Sequence, residues 1–302
     1  MSIVHHPALH RLIERAHAMN HGTRPLAVFD CDGTVIKGDI GEAVYFRQIE
    51  EFFFRVSPAS IWTDHPQRAA LDGLYRSLAD AAPDARRTHP AFEDFAEMML
   101  AWYYDQLAAN AVHKGCADVV RTFAGFTLAE VRAFSRDTLA REMRVPLGQK
   151  RLGRRMVHSG IRFLSEAQDL IRVLQENRFD IWAISGSCKW TVEPVFMAFG
   201  VPEEQVIGIT VTCHNGTLSG EAEHPIPIRA EKIDALKALE QRVPLFAASD
   251  SRNDIPLLLY ATEARVWINS RGRSEQEFFE AVGAPPDERW IIIDEPTVIH
   301  SN

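Results

Sequence analysis

Short apolar runs that stop abruptly at small or acidic residues constrain this chain more than any other feature. They are Leu26 to Phe29, Ile181 to Ile184, Ile207 to Val211, Leu245 to Ala248, Val266 to Ile268 and Trp290 to Ile293. Runs of this kind, without polar alternation, are what strands buried on both faces require, and such strands belong to parallel sheets. Between them the apolar period changes. From Ile161 to Glu176, residues Leu164, Ala167, Leu170, Ile171 and Leu174 fall at helical spacing, and Ile233, Leu236 and Leu239 repeat the pattern. Strand and helix in alternation predict an α/β fold with a doubly wound, Rossmann-like parallel sheet.

The first run is separated from the second by about 150 residues, where a crossover needs only a dozen or so. Within that gap, Ala43 to Val56, Ala69 to Leu78, Ala91 to Leu107 and Ala129 to Met143 read as helices, broken at Ser57-Pro58 and His65-Pro66. The expected organisation is a catalytic core from residues 1–38 and 156–302, with a helical cap domain inserted at 39–155. With 46% hydrophobic residues the chain can bury a sizeable core. The cap aromatics Phe52, Phe53, Phe54, Trp62, Trp102, Tyr103 and Tyr104 are expected to fill its interior; a cage over a cationic leaving group is the alternative. His113-Lys114 and the arginines Arg151, Arg154 and Arg155 read as solvated surface.

A formal net charge of -8 disfavours a nucleic-acid partner, so any affinity for phosphate must be local. Cys31, Cys116, Cys188 and Cys213 are scattered without a C-x-x-C pair, which suggests reduced thiols and neither a zinc site nor a disulfide framework. The first residues lack the apolar core of a signal peptide, and no uncharged apolar run approaches the length of a membrane span. A cytoplasmic protein without membrane association is expected, with Glu295 to Asn302 as a tail.

Chemistry concentrates at the carboxyl ends of the strands, where open α/β sheets bind ligands. Val28-Phe29-Asp30-Cys31-Asp32-Gly33-Thr34 runs from a buried strand into two carboxylates. Residues two apart in an extended chain point the same way, so Asp30 and Asp32 project together and repel unless one is protonated or a cation lies between them. Gly33 permits a tight turn and close approach of backbone to ligand; an ordinary Asp-rich turn is the alternative. Ile184-Ser185-Gly186-Ser187 leads into a helix, where a hydroxyl and free N–H groups can cradle phosphate oxygens. Lys232 opens an amphipathic helix and could limit repulsion among the carboxylates, although Arg229 could take that role. Asp250 and Asp254, in Ser249-Asp250-Ser251-Arg252-Asn253-Asp254, bring two more carboxylates to a strand end. Magnesium takes one or two carboxylates together with water and phosphate, so Asp30 and Asp250 could share it; Asp254 could hold a metal-bound water or cap the next helix.

Asp30-Cys31-Asp32-Gly33-Thr34, Ser185, Lys232 and Asp250 with Asp254 resemble, in order and spacing, the four motifs of the haloacid dehalogenase (HAD)-like hydrolase superfamily. The long gap after the first motif is similar to the phosphoserine phosphatase-like branch with a helical cap. The resemblance implies an HAD-like core in which Asp30 is the nucleophile, Asp32 the general acid and base, Ser185 the phosphoryl holder and Lys232 the charge neutraliser. It implies Mg2+ as cofactor on Asp30, Asp32 (through its carbonyl), Asp250 and Asp254, with Gly33, Thr34, Gly186 and Ser187 bordering the substrate. The second aspartate, Asp32, points to phosphoryl transfer rather than dehalogenation. Two positions depart from the pattern: Ser249 precedes Asp250 where glycine is usual, and Ser187 stands where phosphoserine phosphatases commonly carry a second glycine. Only Asp39 and Glu42 approximate the acid that branch uses for a substrate amine, which tells against phosphoserine itself.

The expected function is a magnesium-dependent phosphatase that hydrolyses a small-molecule phosphate monoester through an aspartyl-phosphate. The alternatives are a phosphotransferase or phosphomutase on the same site, or a non-catalytic phospho-ligand binding protein. The expected partner is a small phosphate ester, with a homodimer possible through the cap.

Overall fold

The computed structural model describes residues 3–19 and 22–299. Helix α1 (Pro7–Ala18) precedes strand β1 (Leu26–Phe29), which enters the insertion. The remaining strands of the central sheet are β2 (Asp180–Cys188), β3 (Val206–Ile209), β4 (Phe246–Ser249), β5 (Ala264–Asn269) and β6 (Trp290–Asp294). All neighbours are parallel, in the order β6-β5-β4-β1-β2-β3. The chain winds outward from β1 through β2 to β3, then restarts on the other side of β1 with β4. The winding therefore reverses between β1 and β4, and the ligand crevice of such a sheet opens there.

Alternation along β1 sends Ala27 and Phe29 to one face and Leu26 and Val28 to the other. The insertion that follows carries α2 (Ile40–Glu50), α3 (Pro58–Ile61), α4 (Arg68–Asp80), α5 (Ala91–Ala108), α6 (Val112–Arg121) and α7 (Leu128–Glu142). Helices α8 (Ser165–Glu176) and α9 (Lys189–Met197) cover the first face with α1, through Leu12, Leu170, Ile171, Val195 and Phe196. Helices α10 (Glu231–Leu239), α11 (Ile255–Tyr260) and α12 (Glu275–Val282) cover the second, through Leu236, Leu257, Leu258 and Phe278. Neither face of the sheet is left to water, which explains why its strands read as unbroken apolar runs.

The insertion has a core of its own around Tyr45, Phe46, Trp62, Phe95, Met99 and Trp102. Phe52, Trp62, Trp102 and Tyr103 are buried, so the aromatics serve chiefly as interior packing. Val120, Phe123, Val131 and Phe134, from α6, α7 and the turn between them, join the first face of the sheet instead. The insertion returns through a hairpin, Gly148–Leu152 paired with Arg155–Ser159, which crosses the expected boundary at 155/156. Division into core and cap is a proposal, and on this pairing its second boundary lies near Ser159. At the neck, Ile36–Lys37 pairs antiparallel with Arg162–Phe163. Leu164 bridges to Val298, and the Ile299 N–H donates to the Phe163 carbonyl at 2.9 Å. The segment from 295 to 299 is thus bound to the neck rather than trailing as a tail; residues 300–302 of that expectation lie outside the described residues.

Other expectations are corrected locally. The helix expected over Ala43 to Val56 ends at Glu50, because Phe52 turns with φ +49°. Phe52 packs on Tyr75 and Phe95, whereas Phe53 stacks on Phe126 and Phe134, and one helical face cannot serve both destinations. The helix expected from Ile161 starts at Ser165, after the neck pairing. The strand read as Ile207 to Val211 is two: β3 ends at Ile209, and Val211–His214 turns through Asn215-Gly216 to pair with Thr217–Ala222. Helix α6 was not anticipated. Among the described residues no helix is long and apolar enough to cross a membrane, and the four cysteines are unpaired.

The insertion's core is tied together by one buried carboxylate. Asp118 accepts from Trp102 Nε1 at 3.0 Å, Lys114 Nζ at 2.6 Å and Arg121 Nη1 at 2.8 Å, and its carbonyl accepts from Trp62 Nε1 at 3.0 Å. Asp118→Ala strands an indole N–H and removes the carboxylate between two cations, of which Lys114 keeps Asp64 and Arg121 keeps the Gly220 and Ile61 carbonyls. The partners are partly solvated, so the expected loss is about 2–3 kcal/mol, below the usual cost of breaking a buried pair. A lowered urea midpoint at unchanged m-value checks it.

Candidate active site

Asp30 lies immediately beyond β1, and its N–H still donates to the Ala248 carbonyl of β4 at 2.9 Å. The chain then folds back on itself: Thr34, Val35 and Ile36 all direct their N–H groups to the Cys31 carbonyl. Gly33 makes this turn possible with φ +82°. A Cβ there would lie 2.5 Å from Asp250 Oδ2, so glycine is also what lets β1 and β4 bring their carboxylates together. Thr34 is buried outside the cavity lining, and its hydroxyl donates to Asp30 Oδ2 at 3.3 Å. Gly33 and Thr34, expected to border the substrate, instead shape and hold the carboxylates.

Lys232 is buried, with Nζ 2.8 Å from Asp30 Oδ1 and 2.7 Å from Asp254 Oδ2. Burial disfavours its charge, but attraction to Asp254 and Asp30 prevails and holds its pKa above the ordinary lysine value. Arg229, the alternative, bonds to Asn253 and Asn110 on the exposed rim. Asp254, expected among the metal ligands, has Oδ2 engaged by Lys232 and by the Ser249 hydroxyl at 2.6 Å, and its side chain makes no cap to α11.

Asp32 faces the same space from the opposite side. Its Oδ1 accepts the Ile40 N–H at 2.8 Å, and its Oδ2 lies 2.7 Å from the Ser187 hydroxyl and 3.4 Å from that of Ser185. Burial first, and then the charges of Asp39 and Asp30, raise its pKa well above the ordinary carboxyl range. The direction of the shift favours its protonated form. Ser185, Gly186 and Ser187 line the cavity with Asp30, Asp32, Lys232, Asp250 and Asp254. The expected residues other than Gly33 and Thr34 are therefore gathered around one space of about 360 Å³.

The same cavity contains residues that sequence reasoning missed or left loose. Arg271, in the loop after β5, places Nε 2.7 Å from Asp250 Oδ2 and Nη2 3.4 Å from the Asp32 carbonyl. The sole sequence sign of it was an Arg-x-Arg loop at a strand's carboxyl end. Asp39 caps α2 by accepting the Glu42 N–H at 2.8 Å, and Glu42 accepts the Tyr103 hydroxyl at 3.2 Å. Burial, and then Asp39, push Glu42 up to about 8.

Asp30, Asp32, Asp39, Glu42, Asp250 and Asp254 thus face the cavity against Lys232, Arg271 and the rim arginine Arg229. The Asp250 carboxyl is pushed to about 7 by burial, against the pull of Arg271 and with the repulsion of Asp30; neither of its buried oxygens has a hydrogen-bond partner. A buried carboxylate paired with Arg271 at 2.7 Å but without hydrogen-bond geometry, and set beside a second carboxylate, is a fitting place for a hard divalent cation. No three acidic, histidine or cysteine side chains converge as a ready-made cage among the described residues. Magnesium does not need one, because it keeps water and phosphate in its coordination sphere.

Residues 99–259 match the model of the haloacid dehalogenase-like hydrolase family. That segment contains Ser185, Lys232, Asp250 and Asp254; Asp30 and Asp32 lie upstream and join them across the sheet. A phosphoserine phosphatase from Halobacterium salinarum is 26% identical over 159 residues, which are 51% of this chain and 73% of that protein. The fold is similar to that of a protein of unknown function from Anaerococcus prevotii, with TM-score 0.69 and 19% identity over 89% of this chain and 86% of that one. A protein of unknown function from Bordetella pertussis is also similar, with TM-score 0.55 and 18% identity over 90% of this chain and 99% of that one.

Gly33→Ala is expected to displace the Asp250 carboxylate and strain the turn, costing about 1–3 kcal/mol. The checks are a lowered thermal midpoint and, by calorimetry, weaker magnesium binding than in the wild type.

Proposed function

The chain belongs to the haloacid dehalogenase-like hydrolases and is a phosphatase among them, and from that premise we propose that Asp30 takes the phosphoryl group from a small phosphate monoester and passes it to water. The observation that carries this reading is the contrast between two aspartates two residues apart: Asp30 Oδ1 lies 2.8 Å from Lys232 Nζ, whereas Asp32 meets the hydroxyls of Ser187 and Ser185 and is driven toward its protonated form by burial. Such a pair separates a nucleophile from an acid within one site.

In the first step an Asp30 oxygen attacks phosphorus and the bond from phosphorus to the ester oxygen breaks. The leaving oxygen takes the proton from Asp32. In the second step Asp32, now a carboxylate, takes a proton from water as that water attacks the aspartyl-phosphate, which releases inorganic phosphate and restores both residues. Lys232 fixes Asp30 and offsets the charge that gathers on the phosphoryl oxygens. Asp254 and Ser249 act behind it, holding the ammonium group in place. Ser185 and the Gly186-Ser187 backbone border the phosphoryl group, and the Ser187 hydroxyl orients Asp32. Asp30, Asp250 and the Asp32 carbonyl would hold magnesium, which supplies Lewis-acid neutralisation of the phosphoryl charge. Residues of the insertion line the cavity, and their closure on a bound ester would exclude water from the attacking carboxylate. A cytoplasmic setting belongs to the same reading and is supported by the unpaired thiols.

Asp30→Asn is expected to lower kcat/KM at least ~10³-fold and to abolish acid-stable labelling of the protein by [32P]-substrate. EDTA should remove wild-type turnover, and magnesium should restore it. Asp32→Asn should be selective. With p-nitrophenyl phosphate, whose leaving group needs no protonation, stopped-flow should record a burst of nitrophenolate close to the enzyme concentration and then slow turnover. With an alkyl phosphate no burst is expected. Labelling of Asp30→Asn at the wild-type level would refute the assignment of the nucleophile.

A further inference from the structure

Beyond the carboxylates the cavity changes character. Its wall on the insertion side is one face of α6 with its flanks: Val112, Cys116, Val119 and Val120, then Phe123 just past the helix and Leu107 from the end of α5. The α6 positions recur at intervals of four, three and one, the spacing of a single helical stripe. The charged residues of α6 are engaged elsewhere: Lys114 and Arg121 bind Asp118, and His113 lies 3.4 Å from Glu231. Leu107, Val112, Cys116 and Val119 are only half-buried, so apolar surface remains accessible inside the cavity. Asp39 and Glu42, the acids nearest this wall, already accept hydrogen bonds from the Glu42 N–H and the Tyr103 hydroxyl.

We propose that the substrate's leaving group is an uncharged, mainly apolar body several carbons long, seated against the α6 stripe. The enzyme would then act on phosphate esters of alkyl or aryl alcohols in preference to those of short ionic alcohols. This inference rests on the phosphatase reading above, and it follows from what the wall can do: the α6 stripe offers area to hydrocarbon and brings no charged side chain into the cavity. A short zwitterionic alcohol would leave the stripe facing water, whereas an alkyl chain displaces that water.

The test is kcat/KM for methyl, propyl, butyl and hexyl phosphate with magnesium, beside phosphoethanolamine, which matches propyl phosphate in size but carries an ammonium group. The alkyl alcohols differ little in basicity, so chain length reports the pocket rather than the chemistry. A rise of about fourfold per added methylene is expected, from about 0.8 kcal/mol per buried CH₂, together with a preference for propyl phosphate over phosphoethanolamine. Val119→Asp should flatten the series, and Leu107→Ala should move its optimum to longer chains, with thermal unfolding confirming that both variants fold. Turnover that is flat or falls with length, or that favours phosphoethanolamine, would overturn the inference and leave the phosphatase reading standing. No turnover of any ester, p-nitrophenyl phosphate included, would overturn both.

Discussion

The buried ammonium group of Lys232, held between Asp30 and Asp254, is the interaction on which the rest of the site depends. A carboxylate and a lysine taken out of water each lose several kcal/mol of hydration, and only close mutual contact compensates. Here the contact joins an element after β1 to α10 and to the residue opening α11, so it also sets the spacing of three segments more than 200 residues apart at their extremes. Once that cation is in place, further acids can gather at the sheet edge by protonating or by sharing a cation. The raised pKa values of Asp32, Asp250 and Glu42 reflect burial first and that crowding second.

The two serines that depart from the family pattern gain a physical role from the same crowding. Ser249 donates to Asp254, and Ser187 lies 2.7 Å from Asp32. A glycine at either place would leave a buried carboxyl oxygen with one partner fewer, at a cost of about 1 kcal/mol or more. Gly41 leaves the room that Ser187 needs, since a Cβ there would lie 2.6 Å from the serine hydroxyl. The substitution and the helix start opposite it thus form one packed unit, in which α2 delivers both the Ile40 N–H and the space for the serine to the same aspartate.

What could be read in the sequence followed from burial. Each central strand is covered on both faces, so its composition announces it, and the acids at strand ends stand out against apolar neighbours. The cap was harder, because local pattern competes there with tertiary contacts. Phe52, Phe53 and Phe54 look like the continuation of a helix, yet they are claimed by different partners. Helix α6 carries Gly115 and a mixed sequence, and its apolar stripe gains meaning only from the cavity it faces. The hairpin after β3 did carry a local sign, the Asn215-Gly216 pair, whose positive φ values suit a tight turn. Arg271 had no such sign: an arginine on a loop is ordinarily solvated, and only the sheet order brings the end of β5 beside that of β4. Whether Asp254 faced metal or lysine was likewise a matter of geometry that spacing could not decide.

The neck of the insertion has a mechanical consequence. Both connecting chains are hydrogen-bonded to each other through Ile36–Lys37 and Arg162–Phe163, and the second is also fastened to Val298 and Ile299. Two strings that could twist independently have become a single stiff strap, riveted to the far end of the polypeptide. Just above the strap the two chains remain in close contact, since a Cβ on Gly38 would lie 2.9 Å from the Gly160 carbonyl. The insertion therefore leaves and rejoins the sheet as one paired unit, and Val120, Phe123, Val131 and Phe134 fasten it a second time to the sheet's first face.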